Sequence, residues 1–299
     1  MHFNFIRYSK IYYIFSGLLA LTAIFCLLIF RLNFGIDFSG GSILEVEFEK
    51  RPENSVIQEK LKNLNLGEII LQPAGDRGMI IRMKEVDETT HQKIISQLAE
   101  ISKTEELQFE SIGPAIGKEL RQKTVILIII SLAALLCYIA IAFRKLTWPV
   151  SGFEYGVISI IALFFDVLIT IGAISLLGKF GNVQFNIMII TALLTILGYT
   201  INDKVVVFDR VRENLLKTRG EDFTNLLNQS LNQIFIRSIS TGTCALLVLF
   251  SIFFFGGETL KYFSLTLIIG IIVGTYSSLF LASPLLVNLK NRKGKRIRK

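Results

Sequence analysis

The chain has 299 residues, of which 52% are apolar and 19% are charged, and its formal net charge is +8. A chain of this length forms one or two domains, and its apolar excess excludes disordered and collagen-like proteins. A diffuse excess would only enlarge the core of a soluble protein, so the distribution along the chain decides the class. The charges are segregated, which indicates a membrane protein.

Six stretches of 20 or more residues are nearly free of charged side chains. About 20 apolar residues suffice for a helix to cross a hydrocarbon core of ~30 Å. Soluble helices show a polar face, which these stretches lack. We therefore predict a polytopic α-helical protein with six transmembrane helices. The predicted spans are Ile11–Phe30, Thr124–Phe143, Tyr155–Gly178, Phe180–Asn202, Ser238–Gly257 and Tyr262–Leu289.

The charges also divide the chain into parts. Residues 31–123 carry a net charge of −3 and the remaining residues a net charge of +11, which together make +8. The predicted parts are a cytoplasmic stub with the first span (1–30), an exported domain (31–123), a five-helix bundle (124–289) with a cytoplasmic segment (209–231), and a basic tail (290–299).

Basic residues mark the cytoplasmic side of a membrane protein. They lie in the stub, in the loop after the second span, in 209–231 and in the tail, whereas the alternate short loops hold only Lys179 and Lys261. We therefore expect both termini in the cytoplasm and the exported domain 31–123 on the other side of the membrane. The basic surplus reflects this topology and contact with anionic lipid, so no nucleic-acid partner is expected.

The exported domain reads as a small α+β fold. The predicted elements are strand Ser42–Phe48, helix Asn54–Leu64, strands Glu68–Gln72 and Gly78–Lys84, helix Thr89–Ser102 and strand Leu107–Ile112. The order βαββαβ predicts a ferredoxin-like domain. It contains no catalytic constellation, and its only histidine, His91, is expected to be solvated on a surface helix. The three cysteines all lie in predicted spans, so we expect no disulfide framework, no metal site and no cofactor.

The notable ionisable residues in the apolar helices or their continuations are Asp166, Asp203 and Arg237. Asp166 lies in the middle of the third span, and apolar runs continue beyond Asp203 and before Arg237. At ~1.5 Å per residue, Asp203 and Arg237 would lie about 7–8 Å inside the cytoplasmic face, which permits an ion pair between adjacent helices. Such groups usually mark an ion or substrate path. The alternative is that Arg237 snorkels to the interface and Asp203 caps a helix end.

If Asp203 and Arg237 pair, protonation of Asp203 would release Arg237 and change the helix packing, as in a proton-operated switch. A sodium site would need several oxygen ligands that the sequence does not place, so protons are favoured. Small and hydroxylated residues near the pair would let the helices approach closely. The expected packing residues are Gly198, Asn202, Thr241, Thr243, Gly270 and Gly274.

Three motifs carry a family resemblance. They are Gly35-Ile-Asp-Phe-Ser-Gly-Gly41 after the first span, Gly198-Tyr-Thr-Ile-Asn-Asp-Lys-Val-Val-Val-Phe-Asp-Arg210, and Asn228-Gln-Ser-Leu-Asn-Gln233 with Arg237 and Thr241-x-Thr243. With the one-plus-five spacing of spans, the chain resembles the SecF members of the SecD/SecF family, in the RND superfamily. Lys204 departs from the pattern, since the family often has a small hydroxyl residue there.

The resemblance implies a proton-coupled transport subunit, not an enzyme, that works in the Sec pathway of protein export. The implied partner is SecD, in a heterodimer that uses the proton motive force for late translocation after the SecA-driven step. Further implied partners are the SecY–SecE–SecG channel, SecA, YajC or YidC, the unfolded preprotein and membrane lipid. Asp203 and Arg237 occupy the positions of the family's proton-coupling pair, and Asp166 matches a family aspartate whose role is less defined.

The glycine-rich loop has two interpretations. Glycine supplies positive φ where the chain leaves the membrane, or Gly35, Asp37, Gly40 and Gly41 form a hinge for the exported domain. Two other function classes stay open for the whole chain. One is half of an RND-type exporter of small molecules or lipids, and the other is a passive translocon scaffold, which would tolerate loss of Asp203.

Overall fold

The computed structural model describes residues 3–142, 151–217 and 222–297. Within these residues, six helices are long and apolar enough to cross a membrane, which confirms the predicted fold class. The six spanning candidates are Ser9–Phe30, Pro114–Ala142, Gly152–Gly181, Ile187–Lys217, Phe223–Phe255 and Leu260–Lys290. Arg144, Lys145 and Arg219, which contribute to the predicted topology, lie outside the described residues.

The helices are labelled in chain order. They are α1 (Ser9–Phe30), α2 (Ile36–Ser39), α3 (Asn54–Leu61), α4 (Glu88–Ala99), α5 (Pro114–Ala142), α6 (Gly152–Gly181), α7 (Ile187–Lys217), α8 (Phe223–Phe255), α9 (Glu258–Tyr276) and α10 (Ser283–Ile297). The helices α7 and α8 extend well into 209–231. The carboxylate of Asp222 accepts a hydrogen bond from the Thr224 amide and so caps the start of α8.

The described chain forms two compact units. The membrane unit comprises Met1–Leu32, Ile128–Val183 and Met188–Lys299, and the second unit comprises Asn33–Leu127 with Gln184–Ile187. In the membrane unit, α1 crosses α6 closely because Gly172 has no side chain: a Cβ there would lie 2.6 Å from the Cβ of Ala23. The aromatic rings of Tyr155 and Phe208, both fully buried, join α6 to α7.

The second unit contains an antiparallel four-stranded sheet. Its strands are β1 (Gly41–Phe48), β2 (Ile70–Ala74), β3 (Gly78–Met83) and β4 (Thr104–Ile112), in the order β2-β3-β1-β4. With α3 and α4 this makes the predicted βαββαβ ferredoxin-like fold. Leu44 pairs with Ile81 on one side and Phe109 on the other. Alternate strand residues share a face, so Leu44, Val46 and Phe48 are buried under the two helices.

His91 does not have the solvated position expected from the sequence. Its side chain is only 4% exposed, and its ring stacks on Phe109 with 3.8 Å between centroids. Its Nδ1 lies 3.2 Å from a carboxylate oxygen of Glu88, and its Nε2 lies 3.2 Å from one of Glu106. The sequence of α4 does not reveal this burial, because the ring that covers the imidazole belongs to Phe109 on β4.

Candidate functional site

A buried ion pair joins α6 to α7 midway along both helices. The ammonium of Lys204 donates a hydrogen bond to Oδ2 of Asp166 at 2.7 Å, and neither side chain has exposed surface. The same ammonium lies 3.5 Å from the carbonyl oxygen of Thr200, one turn earlier in α7. Asp166 is therefore neutralised within the chain, by a residue that the sequence singled out only as a departure from a family pattern.

Asp203 faces α8 rather than α6. It is 9% exposed, and its Oδ2 is buried without a hydrogen-bond partner. The hydroxyl of Ser238 faces this carboxylate but completes no hydrogen bond with it, and Lys204 and Arg237 lie within electrostatic range. Asp203 is thus a buried carboxylate with the Ser238 hydroxyl beside it and no ion pair within 4.0 Å to any described residue.

The direct pair permitted by the sequence is not formed: among the described residues, no ion pair within 4.0 Å joins Asp203 to Arg237. Ser238 is 1% exposed and turned towards the bundle, whereas Arg237 is exposed. Successive helical residues are rotated by about 100°, so only one of these two neighbours can face Asp203. Equal depth, the basis of the expectation, does not determine which side of α8 carries the arginine.

The predicted packing residues fall into two groups. At Gly270 and Gly274 of α9, a Cβ would collide with Ile196 and Thr200 of α7, so both glycines lie where α9 touches α7. At Gly198 a Cβ would meet nothing within 4 Å. The other three predicted packing residues, all with polar side chains, are exposed: Asn202, Thr241 and Thr243.

A π-helix follows this contact, and the sequence analysis does not predict it. It runs from Ser277 to Ala282. The hydroxyls of Ser277 and Ser278 donate to the carbonyl oxygen of Gly274, and that of Ser283 donates to the carbonyl oxygen of Ser278. Pro284 has no amide proton to donate to the preceding turn, which is a physical reason for irregular hydrogen bonding here and the signal that could have revealed it.

The loop Gly35–Gly41 is tightly built within the second unit. The carboxylate of Asp37 accepts a hydrogen bond from the Ile187 amide at 2.8 Å, and the Gly35 amide donates to the carbonyl oxygen of Phe185 at 3.0 Å. Gly40 and Gly41 have φ values of 75° and 131°, which favour glycine. The positive φ values agree with the first interpretation of the motif, in which glycine allows the backbone to turn. The hinge stays a prediction.

The asparagine motif of α8 holds the N-terminal segment. The side chain of Asn232 accepts a hydrogen bond from the Phe3 amide and donates one to the Phe3 carbonyl oxygen. Asn228, one turn earlier, accepts from the amide of Phe5 at 2.7 Å. Sequence reasoning treated this motif only as a signature; its i, i+4 asparagines are the signal for two contacts on one helix face.

No group of three or more His, Cys, Asp or Glu that could hold a metal ion occurs among the described residues.

The family described as "Protein export membrane protein SecD/SecF, C-terminal" matches residues 92–292, and the "SecD/SecF GG Motif" matches residues 27–50. The chain belongs to the SecD/SecF family. These two matches contain all three motifs on which the resemblance rests.

Several SecD/SecF relatives are similar over nearly their full length. A protein translocase subunit SecF of Thermobaculum terrenum is 38% identical over 98% of this chain and 95% of its own. A SecF of Calditerrivibrio nitroreducens is 34% identical over 96% of this chain and 94% of its own. The crystal structure of SecDF from Thermus thermophilus, titled a translocon-associated membrane protein, is 33% identical with a TM-score of 0.86. It matches 97% of this chain, which spans only 39% of that SecDF chain.

Proposed function

We propose that this multi-pass membrane protein is an accessory subunit of Sec protein export that, together with SecD, uses the proton motive force to drive late translocation of preproteins. The step would follow the one driven by SecA at the SecY–SecE–SecG channel. Membership of the SecD/SecF family supports the export role. The arrangement of Asp203 with Arg237 supports the coupling to protons.

The proposed coupling to protons rests on the surroundings of the Asp203 carboxylate. It is a buried carboxylate with an oxygen that lacks a partner, and an arginine lies beside it on α8 without a direct contact. Proton uptake would remove the cost of burying this charge and weaken the attraction of Arg237. A proton that crosses 100 mV supplies about 2.3 kcal/mol, comparable with the energy that separates two packings of helices.

A SecD partner fits the surface of the membrane unit. The side chain of Arg237 is exposed, and so are those of Thr241 and Thr243 on α8 and Asn202 on α7. Polar groups at membrane depth face protein or a water-filled cavity rather than lipid. The match to only 39% of the SecDF chain leaves room for a second unit of the same kind, so we place SecD against this face.

The proposed topology puts both termini in the cytoplasm and the βαββαβ unit in the periplasm. It rests on basic residues at alternate ends of the spans. The tail from Lys290 onwards is strongly basic and would contact anionic lipid. Fusion of alkaline phosphatase after Gly113 should give high activity, and fusion at the C-terminus should give none.

The test of coupling is preprotein translocation into inverted membrane vesicles that contain SecD and this chain. The gradient should stimulate translocation in the wild type, and Asp203→Asn and Arg237→Met should each abolish the stimulation. Asp209→Asn is the matched control, because Asp209 lies on the same helix and its side chain is 66% exposed. Full stimulation in both test variants would refute coupling and leave the passive scaffold.

A sodium gradient without a pH difference or membrane potential tests the identity of the ion. It should produce no stimulation. Stimulation by sodium alone would show that sodium, and not the proton, is the coupling ion.

A further inference from the structure

The pair between Asp166 and Lys204 differs from Asp203 in what surrounds it. The Lys204 ammonium touches one carboxylate oxygen and lies near the Thr200 carbonyl oxygen, at 2.7 and 3.5 Å. Oδ1 of Asp166 and the hydroxyl of Thr200 are buried without hydrogen-bond partners. An ammonium beside a carboxylate and a carbonyl oxygen occupies the kind of oxygen-lined position that a monovalent cation takes.

Few other charged groups face Asp166. From α7, Lys204 contacts it, and Asp203 lies within electrostatic range. From α9, Gly274 comes closest, since a Cβ there would lie 3.7 Å from Oδ2 of Asp166, and residues 263–275 include no ionisable side chain. In α1, which also packs on α6, the only ionisable side chain between residues 14 and 30 is that of Cys26.

We infer that Lys204 is a built-in counter-ion that keeps Asp166 charged and unavailable for ion exchange, so that Asp203 is the carboxylate that takes up and releases the coupling ion. The inference rests on the proposed function for its second half only. Lys204 is a positioning residue in this scheme, because it acts on the charge of Asp166 and not on the coupling ion itself.

The physical reason is an asymmetry between the two carboxylates. A proton on Asp166 would leave the Lys204 ammonium buried without its partner, which is strongly unfavourable. A sodium ion would have to displace an ammonium that the chain itself holds in place. A proton on Asp203 breaks no direct ion pair, because none exists among the described residues. Asp203 therefore changes its charge more readily than Asp166.

Labelling with N,N′-dicyclohexylcarbodiimide tests this directly, since the reagent modifies protonated carboxyl groups in apolar surroundings. The full chain would be labelled in membrane vesicles with SecD at neutral pH, and each modified aspartate located by peptide mass spectrometry. In the wild type, Asp203 should be labelled and Asp166 should not. In Lys204→Met, labelling of Asp166 should rise at least about tenfold, because a buried carboxyl group without its cation favours the protonated form.

Two further variants keep the test decisive. Lys204→Arg retains a cation and should leave Asp166 unlabelled, which a purely structural role of the lysine would not predict. Should Lys204→Met fail to fold, Lys204→Gln provides the same comparison with an uncharged side chain that hydrogen-bonds.

Equal labelling of Asp166 with and without Lys204, or stronger labelling of Asp166 than of Asp203 in the wild type, would overturn the inference. This readout does not depend on translocation. Loss of the export effect with the labelling pattern intact would therefore refute the proposed function and not the role of Lys204.

Discussion

Ion pairs in the two units differ in their exposure to solvent. In the βαββαβ unit, Lys60 pairs with Glu100 and Arg77 with Glu47, and all four side chains are 38–64% exposed. In the membrane unit, Asp166 and Lys204 pair with no exposed surface. Exposed pairs contribute about 0–1 kcal/mol, whereas loss of one partner from a buried pair costs about 3–5 kcal/mol. An exposed ion pair thus contributes little to the free energy of unfolding, whereas the loss of one partner from the buried pair lowers it strongly.

The largest expected effect tests this difference directly. Lys204→Met should lower the free energy of unfolding by about 3–5 kcal/mol, because it leaves the buried carboxyl group of Asp166 without its partner. Lys60→Met, the matched change at an exposed pair, should lower it by less than about 1 kcal/mol. Unfolding of the full chain by titration with sodium dodecyl sulfate measures both. Similar losses for the two lysines would contradict the comparison.

The double variant Asp166→Asn/Lys204→Met separates the effect of losing the ion pair from the effect of leaving Asp166 without a partner. With both charges removed, most of the stability lost in Lys204→Met should return, because replacing a whole buried pair is often close to neutral. The same detergent titration measures it. A double variant no more stable than the single one would mean that the pair itself, and not the orphaned carboxylate, accounts for the loss.

The fold could be predicted from the sequence because its signals are local. Spans of 20 apolar residues and the alternation in β1 each report their own segment. The site could be predicted only in part, because side-chain partners depend on helix rotation. The sequence predicts equal depth for Asp203 and Arg237, yet a rotation of about 100° between Arg237 and Ser238 decides which one faces Asp203. The sequence does not predict Lys204 as a partner of Asp166, because the two residues lie 38 positions apart and only the packing of two helices brings them together.

The next effect in size concerns the contact between α9 and α7. Gly274→Ala should lower the free energy of unfolding by about 1–3 kcal/mol, because the added Cβ would lie 2.8 Å from the Cβ of Thr200. Gly198→Ala is the matched control: with nothing within 4 Å, it should stabilise the helix by about 0.5–1 kcal/mol. Detergent titration should therefore give changes of opposite sign, and equal signs would mean that these helices do not pack as described.

The smallest expected effect is at an exposed carboxylate of the βαββαβ unit. Asp87 caps α4 by accepting hydrogen bonds from the Thr90 amide and the Thr89 hydroxyl. Hydrogen bonding by the side chains of Thr90 and Thr89, and then by the Thr90 amide, lowers the pKa of Asp87 from 3.8 to about 2. Because the folded value is depressed, the cap is fully present above the ordinary value and is lost as the pH falls through about 2. Asp87→Ala should speed hydrogen exchange in the first turn of α4 at neutral pH.

Asp87→Asn is the control for that change, since asparagine also caps helices but carries no charge. It should protect the first turn of α4 at neutral pH and keep that protection below the pH at which the wild type loses it. Loss of protection at the same pH in both proteins would assign the acid response to another group. Asp87 and Asp166 thus differ in how they contribute to stability. The solvated carboxylate of Asp87 contributes little, through local hydrogen bonds, whereas the buried carboxylate of Asp166 depends strongly on a single cation.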